Sequence, residues 1–212
     1  MITLCFGLPG SGKTTFAAKL AIDECVKIAT GRSKYKHVFS NFGIKHPLII
    51  EYKNDDIGKY DMSNSLILID EATLFADSRD YKSFSSEKKS FFMLHRHYEC
   101  DIVLFVQQWS AVDSKIRSIT EQVYYLKRMG KNRTRIIRLK YGVVIPQFDP
   151  DGKADSSQLG DIVQGYSMPP LFVRVFMPCF DRRKYYKYFD TLEHPELPPF
   201  PNPLFKSDKA SN

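Results

Sequence analysis

The chain has 212 residues, of which 43% are hydrophobic and 26% are charged, and its formal net charge is +7. This length predicts one domain, or one domain with a small appendage. The composition is that of an ordinary globular protein, which excludes collagen-like, coiled-coil and wholly disordered chains. The longest aliphatic or aromatic run, Ile102 to Val106, has five residues, whereas a membrane-spanning helix needs about 18 or more.

The four cysteines lie far apart in the sequence, at Cys5, Cys25, Cys100 and Cys179. They form no CxxC pair and no dense disulfide pattern. We therefore expect reduced thiols and a cytoplasmic chain.

The first third of the chain predicts a strand, a helix and a second strand. Ile2 to Phe6 is a short apolar run, which is typical of a buried strand. A helix is expected from about residue 13 to 29, with Gly31 as its C-terminal stop. A second strand is expected over 37–42, and the mixed residues 43–63 predict a loop.

The middle of the chain continues this alternation. The aliphatic residues 66–69 predict a strand, and the polar residues 76–86 predict a loop. A helix is expected over 87–99, and it leads into a fully apolar strand over 101–106.

The last third predicts β-structure followed by irregular chain. Two strands, 123–128 and 135–144, are joined by a glycine-containing turn and predict a hairpin. Residues 146–166 contain several prolines and glycines and predict an irregular loop. A last strand is expected over 171–177, and the five prolines within 195–203 are typical of an extended linker.

Apolar strands that alternate with helices predict a parallel sheet covered by helices. We therefore expect an α/β fold whose sheet is mainly parallel, with helices on both faces and a C-terminal extension of hairpin and strand. The expected domain covers residues 1–193, divided into a core over 1–130 and a β-rich extension over 131–193. Residues 194–212 are expected to be a proline-rich linker.

The segment after the first strand matches the motif G-x-x-x-x-G-K-[ST] without a mismatch. Its glycines allow backbone N–H groups to surround a phosphate, and the following helix presents its positive N-terminus to the same anion. Lys13 is expected to reach the β- and γ-phosphates, and the Thr14 hydroxyl is expected to ligate Mg²⁺. The predicted phosphate-binding residues are Gly7, Leu8, Pro9, Gly10, Ser11, Gly12, Lys13, Thr14 and Thr15.

This phosphate loop, residues 7–14, identifies the expected fold as that of a P-loop NTPase, with ATP and Mg²⁺ as the predicted ligands. The residues alone leave ATP and GTP open, although the sequence has no guanine-reading Asn-Lys-x-Asp.

A second acidic site is expected where the strand 66–69 ends. Asp70 follows the four aliphatic residues directly, at the edge where sheets of this type bind ligands. Asp70 is predicted to hold Mg²⁺ through water. Glu71 is predicted to polarise an attacking water, as in enzymes that hydrolyse nucleotides.

Two further residues are candidates for the reaction. Gln107 ends the strand 101–106, where it could contact the γ-phosphate or orient the water; an ordinary strand-end glutamine is the alternative. Arg117 could act as an arginine finger on the nucleotide of a neighbouring subunit. The alternative for Arg117 is a solvated arginine on a helix.

Positive charge is concentrated in one window of the sequence. Residues 114–140 contain nine lysines and arginines and one acid, Glu121, so this window carries +8 and the rest of the chain sums to −1. A local basic surface favours a polyanionic partner, which could be nucleotide phosphate, nucleic acid or an anionic membrane surface, and DNA binding by this window is predicted. A solvated strand pair with long cationic side chains is the alternative.

The combined motifs resemble the zonular occludens toxin (Zot-like) family, which includes the assembly ATPase of filamentous bacteriophages. The resemblance covers about residues 1–130, and residues 186–191 resemble the end of the family's cytoplasmic domain. The segments that carry it are Phe6 to Thr14, Leu68 to Ala72, His95-Arg96-His97-Tyr98 before Asp101 to Leu104, Gln107-Gln108 and Val112-Asp113. The His-Arg-His-Tyr segment is the most specific of these.

The resemblance implies a P-loop ATPase at the cytoplasmic face of the bacterial inner membrane. It implies that the enzyme drives extrusion and coating of single-stranded phage DNA, as a homo-oligomer and together with phage coat or assembly proteins. Family members usually continue into a membrane helix and a periplasmic part, so membrane association is expected through a segment absent from this chain. The toxin activity in the family name concerns a part outside the cytoplasmic domain, so it is not expected of this chain.

Two other classes of function share the loop and the fold. A small-molecule or nucleotide kinase would need a lid and an acceptor site with clustered arginines, and residues 31–63 contain no clear lid. An ATP-gated scaffold would bind nucleotide, recruit partners and hydrolyse poorly.

Overall fold

The computed structural model of the protein describes residues 1–72, 85–109, 112–139 and 178–190, without the side chains of residues 114 and 115. These ranges form one eight-stranded sheet with helices packed against it. The strands are β1 (Ile2–Phe6), β2 (His37–Ser40), β3 (Ile49–Glu51), β4 (Ser65–Ile69), β5 (Asp101–Val106), β6 (Gln122–Met129), β7 (Arg133–Leu139) and β8 (Cys179–Asp181). The helices are α1 (Lys13–Ala29), α2 (Ser86–Leu94) and α3 (Ser114–Ile119), with short 3₁₀ turns at Asn54–Asp56, Arg182–Lys184 and Tyr186–Tyr188.

The strands are ordered β3-β2-β4-β5-β1-β6-β7-β8. All neighbours from β3 to β6 are parallel, and β7 and β8 each pair antiparallel with the preceding strand. The predicted fold, a mainly parallel sheet with a hairpin and strand extension, is therefore confirmed. The parallel arrangement places the carboxyl ends of β1, β2, β4, β5 and β6 at one edge, where such sheets bind ligands.

Helices cover both faces of the sheet, as the sequence predicts. On one face, α1 packs Ala17, Ala18 and Ala21 against a core that contains Leu68 and Phe105. These small side chains allow the helix to approach the sheet closely. On the other face, Phe91 and Phe92 of α2 and Ile116 of α3 pack against the opposite side of the same strands, which presents Leu4, Ile67 and Leu104.

Some predicted boundaries are wrong. The expected loop 43–63 contains the strand β3, a three-residue edge strand that pairs only with β2 within the described residues. Helix α2 ends at Leu94 rather than 99, because residues 95–99 turn into β5. In this turn Glu99 has φ 54°, and the Cys100 N–H donates to the His95 carbonyl over 2.9 Å. Strand β8 lies at Cys179–Asp181, where no strand was predicted, and the strand expected in this extension, over 171–177, falls outside the described residues.

Several predictions fall outside the described residues. These are the irregular loop 146–166, the strand 171–177, the proline-rich segment 195–203, the end of the strand 135–144 and most of the loop 76–86. The domain boundary at residues 193 and 194 also lies there, so it stays a prediction. Among the described residues, no helix is both long enough and apolar enough to span a bilayer.

Candidate active site

The phosphate loop connects β1 to α1 and is held in shape by its own backbone. Gly10 and Gly12 have φ of 74° and 94°, which favours glycine because other side chains are strained there. The Ser11 N–H donates to the Leu8 carbonyl over 3.0 Å, and the Phe16 N–H donates to Gly12 as the helix begins. The loop thus turns tightly into the N-terminus of α1, as phosphate binding requires.

Lys13 folds back over this loop. Its ammonium group donates to the carbonyl oxygens of Gly7 and Leu8, over 2.9 and 3.3 Å. Burial lowers the pKa of Lys13, and the negative charges of Asp70 and Glu71 partly oppose this shift. The cation therefore lies at the loop and faces two carboxylates.

Thr14 and Asp70 contact each other, although they are 56 positions apart in the chain. The Thr14 hydroxyl, in the first turn of α1, donates a 2.6 Å hydrogen bond to Asp70 Oδ2 at the end of β4. Burial raises the pKa of Asp70, and the hydrogen bond from Thr14 opposes this rise. The two predicted metal ligands are thus adjacent, and both offer the oxygen donors that Mg²⁺ prefers. Within the described ranges, no group of three or more His, Cys, Asp or Glu could hold a metal ion by itself.

Asn41, directly after β2, fixes the backbone of Asp70. The Asp70 N–H donates to Asn41 Oδ1 over 2.7 Å, and Asn41 Nδ2 donates to the Asp70 carbonyl over 2.9 Å. Asn41 was not among the residues predicted from the sequence. A signal was available, because a polar residue that ends one parallel strand meets the polar residues that end its neighbour.

Glu71 adopts a strained backbone conformation. Its φ is 50°, in the left-handed region, which costs on the order of 1–3 kcal/mol for a residue other than glycine. The conformation is held by the Glu71 N–H, which donates to Asp70 Oδ1 over 3.0 Å, and by the Ala72 N–H, which donates to Phe105 of β5 over 3.1 Å. Its side chain is exposed and faces the cavity described next.

A cavity of about 630 Å³ brings most of the predicted site residues together. Lys13, Thr14, Asp70, Glu71 and Gln107 all line it, as do Pro9, Gly10, Gly12 and Thr15. Its size is within the range of small-molecule sites, about 300–1,000 Å³.

The remaining predicted residues, which are Gly7, Leu8, Ser11 and Arg117, do not line this cavity. Gly7 packs on β6, since a Cβ at this position would lie 2.5 Å from the Leu126 carbonyl oxygen. Leu8 is exposed, and the buried Ser11 hydroxyl makes no hydrogen bond within the described residues. Arg117 does not line the cavity; its guanidinium carbon lies 6.0 Å from the ring centroid of Trp109.

Two residues from the C-terminal extension hold the phosphate loop from outside. The Thr134 hydroxyl of β7 donates to the Ser11 carbonyl over 2.7 Å. The guanidinium group of Arg182, which follows β8, donates to the Gly10 carbonyl over 3.1 Å and to the Lys131 carbonyl. Neither residue was predicted, because nothing in the local sequence marks them.

The same extension forms an outer wall of the cavity. Arg182, Tyr186, Phe189 and Asp190 line it together with the residues at the strand ends. The family resemblance includes residues 186–191, but it predicts no role for them in the site.

The His-Arg-His-Tyr segment lies at the other edge of the sheet, where β5 begins. His95 is buried, and its Nδ1 lies 2.7 Å from the Phe92 carbonyl oxygen. Arg96 forms a 3.0 Å ion pair with Glu121, and the Tyr98 carbonyl accepts from Asn64 N–H. These contacts connect α2 to the sheet, so the segment is structural.

The chain is similar to one protein family in sequence and to solved structures in fold. The family model for zonular occludens toxin (Zot) matches residues 44–167. The crystal structure of the N-terminal domain of zonular occludens toxin from Neisseria meningitidis is similar, with a TM-score of 0.52 at 19% identity, over 89% of this chain and 98% of that one.

Two other solved structures are less similar. The genome packaging NTPase B204 from Sulfolobus turreted icosahedral virus 2, in complex with sulfate, has a TM-score of 0.44 at 14% identity, over 61% of this chain and 74% of that chain. B204, the DNA-packaging ATPase from Sulfolobus turreted icosahedral virus, has a TM-score of 0.43 at 11% identity, over 61% of this chain and 77% of that chain. No curated protein sequence matches the chain.

The family match begins after the phosphate loop, so the loop and the family are independent observations. The matched segment covers more than half of the chain. The sequence motifs, the sheet topology and the family model agree: the chain belongs to the zonular occludens toxin (Zot) family.

Proposed function

We propose that the protein is a Mg²⁺-dependent, motor-type ATPase that powers assembly and export of filamentous phage at the cytoplasmic face of the bacterial inner membrane. The observation that carries the ATPase part is the 2.6 Å hydrogen bond between Thr14 and Asp70. It joins the phosphate loop to the acidic end of β4, beside Glu71. The phage part of the proposal rests on the family.

The loop and Lys13 would bind the triphosphate. The N–H groups at the start of α1 and the cation of Lys13 supply positive charge where the phosphates would lie. Thr14 and Asp70 would hold Mg²⁺, and their oxygen donors fit this ion. When bound, Mg²⁺ neutralises charge on the β- and γ-phosphate oxygens.

Glu71 is the proposed base for the attacking water. Its carboxylate would accept a proton as the water oxygen forms a bond to the γ-phosphorus. The bond between that phosphorus and the β–γ bridging oxygen breaks, and ADP and inorganic phosphate leave. Gln107 lines the same cavity and is proposed to orient the water or to contact the γ-phosphate.

A second part of the proposal concerns single-stranded DNA at the basic hairpin, which we define as the cationic residues of β6, β7 and their turn. Lys127 lies directly opposite Arg135 in the antiparallel register. Like charges in this position destabilise a strand pair, and neither residue makes an ion pair within the described residues. Arg135 Nε is also buried without a hydrogen-bond partner there. A bound phosphate chain would neutralise this repulsion.

Exposed cations extend along the basic hairpin to its turn, which lies near the phosphate loop. Because β6 runs parallel to β1, the hairpin turn lies at the same edge of the sheet as the loop. The exposed cations are Lys127, Arg128, Lys131, Arg133 and Arg138. Of the other cations in the window 114–140, Arg117 lies in α3, outside the hairpin. Lys140 and the side chain of Lys115 are not among the described parts. Contacts to backbone phosphates carry no base specificity, so the proposed binding is independent of sequence.

The other proposed partners rest on the family. They are phage coat or assembly proteins, further copies of this chain in a homo-oligomer, and the membrane through a segment outside this sequence. Arg117 packs on Trp109 and lies outside the cavity of its own chain. Its predicted role on a neighbouring subunit's nucleotide stays a prediction.

Following the γ-phosphate of ATP tests the proposal, with and without single-stranded DNA. The wild type should release free phosphate, and DNA should increase the rate. Lys13→Ala should lose Mg-ATP binding, whereas Glu71→Gln should bind Mg-ATP without turnover. The matched controls are Lys59→Ala and Glu51→Gln, because both residues are exposed and lie outside the cavity.

Two outcomes would replace the proposal. Transfer of the γ-phosphate to another molecule would indicate a kinase. Tight Mg-ATP binding without turnover, even with DNA present, would indicate an ATP-gated scaffold.

The DNA part is tested by measuring the affinity for oligo-dT at several salt concentrations. Affinity should fall steeply with salt, because bound cations release the counterions of DNA. Replacing Lys127 or Arg135 with glutamine should reduce the logarithmic salt slope by about one each, and Lys59→Gln should leave it unchanged. Salt-independent binding, or equal slopes for all variants, would contradict the assignment.

A further inference from the structure

The segment 178–190, which we call the C-terminal strap, is anchored at both ends. At one end, Arg182 donates to the Gly10 carbonyl over 3.1 Å, and its own N–H donates to Asn132 over 2.8 Å. At the other end, the Tyr188 carbonyl accepts from Lys45 N–H over 2.6 Å. The strap is therefore a fixed wall of the cavity.

Aromatic residues of the strap also anchor it to α1. Phe180 lies 5.6 Å from Phe16, measured between ring centroids, and Phe180 and Phe189 are both buried in the core on the α1 face. Tyr185 and Tyr188 pack against the same core.

Tyr186 differs from these neighbours. Its side chain is 44% exposed, whereas Tyr185 and Tyr188 pack inwards. It lines the cavity together with Thr15 at the start of α1. The strap is already held by Arg182, Phe180 and Phe189, so the position of Tyr186 is not needed to anchor it.

A site for a nucleoside triphosphate needs a surface that binds the base, in addition to the phosphate loop. The loop binds the phosphates, so the base must lie elsewhere in the cavity. Among the described lining residues, the aromatic ones are Tyr186 and Phe189, and Phe189 is only 5% exposed. Tyr186 is the aromatic ring that a ligand can reach.

We propose that Tyr186 forms the base-binding surface of the site and stacks on the nucleobase of the bound nucleoside triphosphate. This inference rests on the proposed nucleotide binding. Because every base has a π-face, stacking discriminates little between bases. Tyr186 therefore favours nucleoside triphosphates over a bare triphosphate, rather than one base over another.

Equilibrium binding of two ligands tests this role. Mg-ATP and inorganic triphosphate with Mg²⁺ are titrated into the wild type, Tyr186→Ala, Tyr186→Phe and Tyr60→Ala. Tyr60 is a matched control, because it is an exposed tyrosine that does not line the cavity. Thermal melting of each variant establishes that it is folded.

Tyr186→Ala should weaken ATP binding about tenfold, as expected for loss of one base-stacking ring, and should leave triphosphate binding unchanged. Tyr186→Phe should keep ATP affinity near the wild type, and Tyr60→Ala should match the wild type for both ligands. GTP should lose affinity in Tyr186→Ala to a similar extent.

Three results would overturn the inference. If Tyr186→Ala binds ATP like the wild type, the base lies elsewhere. If it loses ATP and triphosphate equally, Tyr186 acts on the loop and not on the base. If the folded wild type binds neither ligand, nucleotide binding itself fails, and the proposed function fails with it. If the wild type binds ATP and Lys13→Ala does not, the proposed binding stands, and an unchanged ATP affinity in Tyr186→Ala means that only the stacking role fails.

Discussion

The hydroxyl of Thr134 donates a 2.7 Å hydrogen bond to the carbonyl of Ser11, across 123 positions of the chain. Thr134 is completely buried, and its two neighbours in β7, Arg133 and Arg135, are cations of the basic hairpin. The shape of the phosphate loop thus depends on the C-terminal extension, whose strands belong to the same sheet as those of the core.

Thr134→Val removes this hydrogen bond while it keeps the size of the side chain. We expect a loss of about 1–3 kcal/mol in the free energy of unfolding, because the Ser11 carbonyl is left buried without a donor. We also expect Mg-ATP affinity to fall about tenfold, which corresponds to about 1.4 kcal/mol. Titration of Mg-ATP measures it.

Thr120→Val is the control, because Thr120 is a buried threonine whose hydroxyl donates to the Ile116 carbonyl over 2.9 Å, away from the loop. It should lower stability without changing ATP affinity. Equal ATP affinities in the two valine variants would mean that Thr134 does not position the loop.

Arg182→Lys tests the second contact to the loop. A lysine keeps the charge but cannot reproduce the planar fork that reaches both Gly10 and Lys131. We expect weaker Mg-ATP binding and a lower melting temperature. Arg183→Lys is the control, since Arg183 is exposed and pairs with Asp181 over 2.6 Å; surface changes of this kind usually cost less than about 0.5 kcal/mol. Similar affinities for the two variants would contradict a role for Arg182 in the loop.

Local motifs made part of this site predictable. The phosphate loop and the Asp70–Glu71 pair are contiguous in sequence, and the apolar runs of β1, β4 and β5 identify buried parallel strands. Those strands bring Lys13, Thr14 and Asp70 together because their carboxyl ends share one edge.

Contacts between distant segments were not predictable from one sequence. Arg182 is 172 positions from Gly10, and a single arginine in a basic chain carries no signal of such a contact. The strand β3 was missed because it has only three residues, none of them buried, so it lacks a buried strand's hydrophobic pattern.

Gly12→Ala and Gly31→Ala separate backbone strain from steric overlap. Both glycines have positive φ, at 94° and 66°, so both substitutions should cost about 1–2 kcal/mol in unfolding free energy from strain. A Cβ at Gly12 would also lie 2.5 Å from Thr134 Oγ1 and 2.8 Å from Arg182 Cδ, whereas a Cβ at Gly31 meets nothing within 4 Å. Overpacking adds about 1–3 kcal/mol. Urea unfolding should therefore find Gly12→Ala the less stable, and equal losses would refute the close packing of Thr134 and Arg182 around Gly12.

Asn41→Ala removes both hydrogen bonds to the Asp70 backbone and leaves the Asp70 N–H without its acceptor. If Asp70 acts in the proposed ATPase, kcat should fall about tenfold or more, since misplacing a positioned catalytic group costs this much. Asn54→Ala is the matched control, because Asn54 accepts a 3.0 Å hydrogen bond from Asn41 and does not itself hold the Asp70 backbone. Steady-state phosphate release compares the two, and equal kcat values would remove Asn41 from the site.

Asp101→Asn concerns stability alone, because Asp101 begins β5 at the edge opposite the cavity. Burial raises the pKa of Asp101. Hydrogen bonds from Lys34 to its Oδ2, over 2.8 Å, from the Met1 ammonium to its Oδ1, over 2.5 Å, and from Tyr35 outweigh burial and hold this pKa below its usual value. The carboxylate therefore stabilises the fold above about pH 4, the unfolded pKa, and this contribution is lost as pH falls through the lower folded pKa.

At pH 7, Asp101→Asn should lower the free energy of unfolding by about 2 kcal/mol, as for hydrogen bonds to a charged group. Because the wild type loses the same contribution when Asp101 is protonated, the gap between the two proteins should narrow below about pH 4. Urea unfolding between pH 7 and pH 3 measures the gap, and Mg-ATP affinity at pH 7 should be unchanged in the variant. A gap that is constant with pH would show that the charge of Asp101 does not stabilise the fold, and that only the shape of its side chain matters.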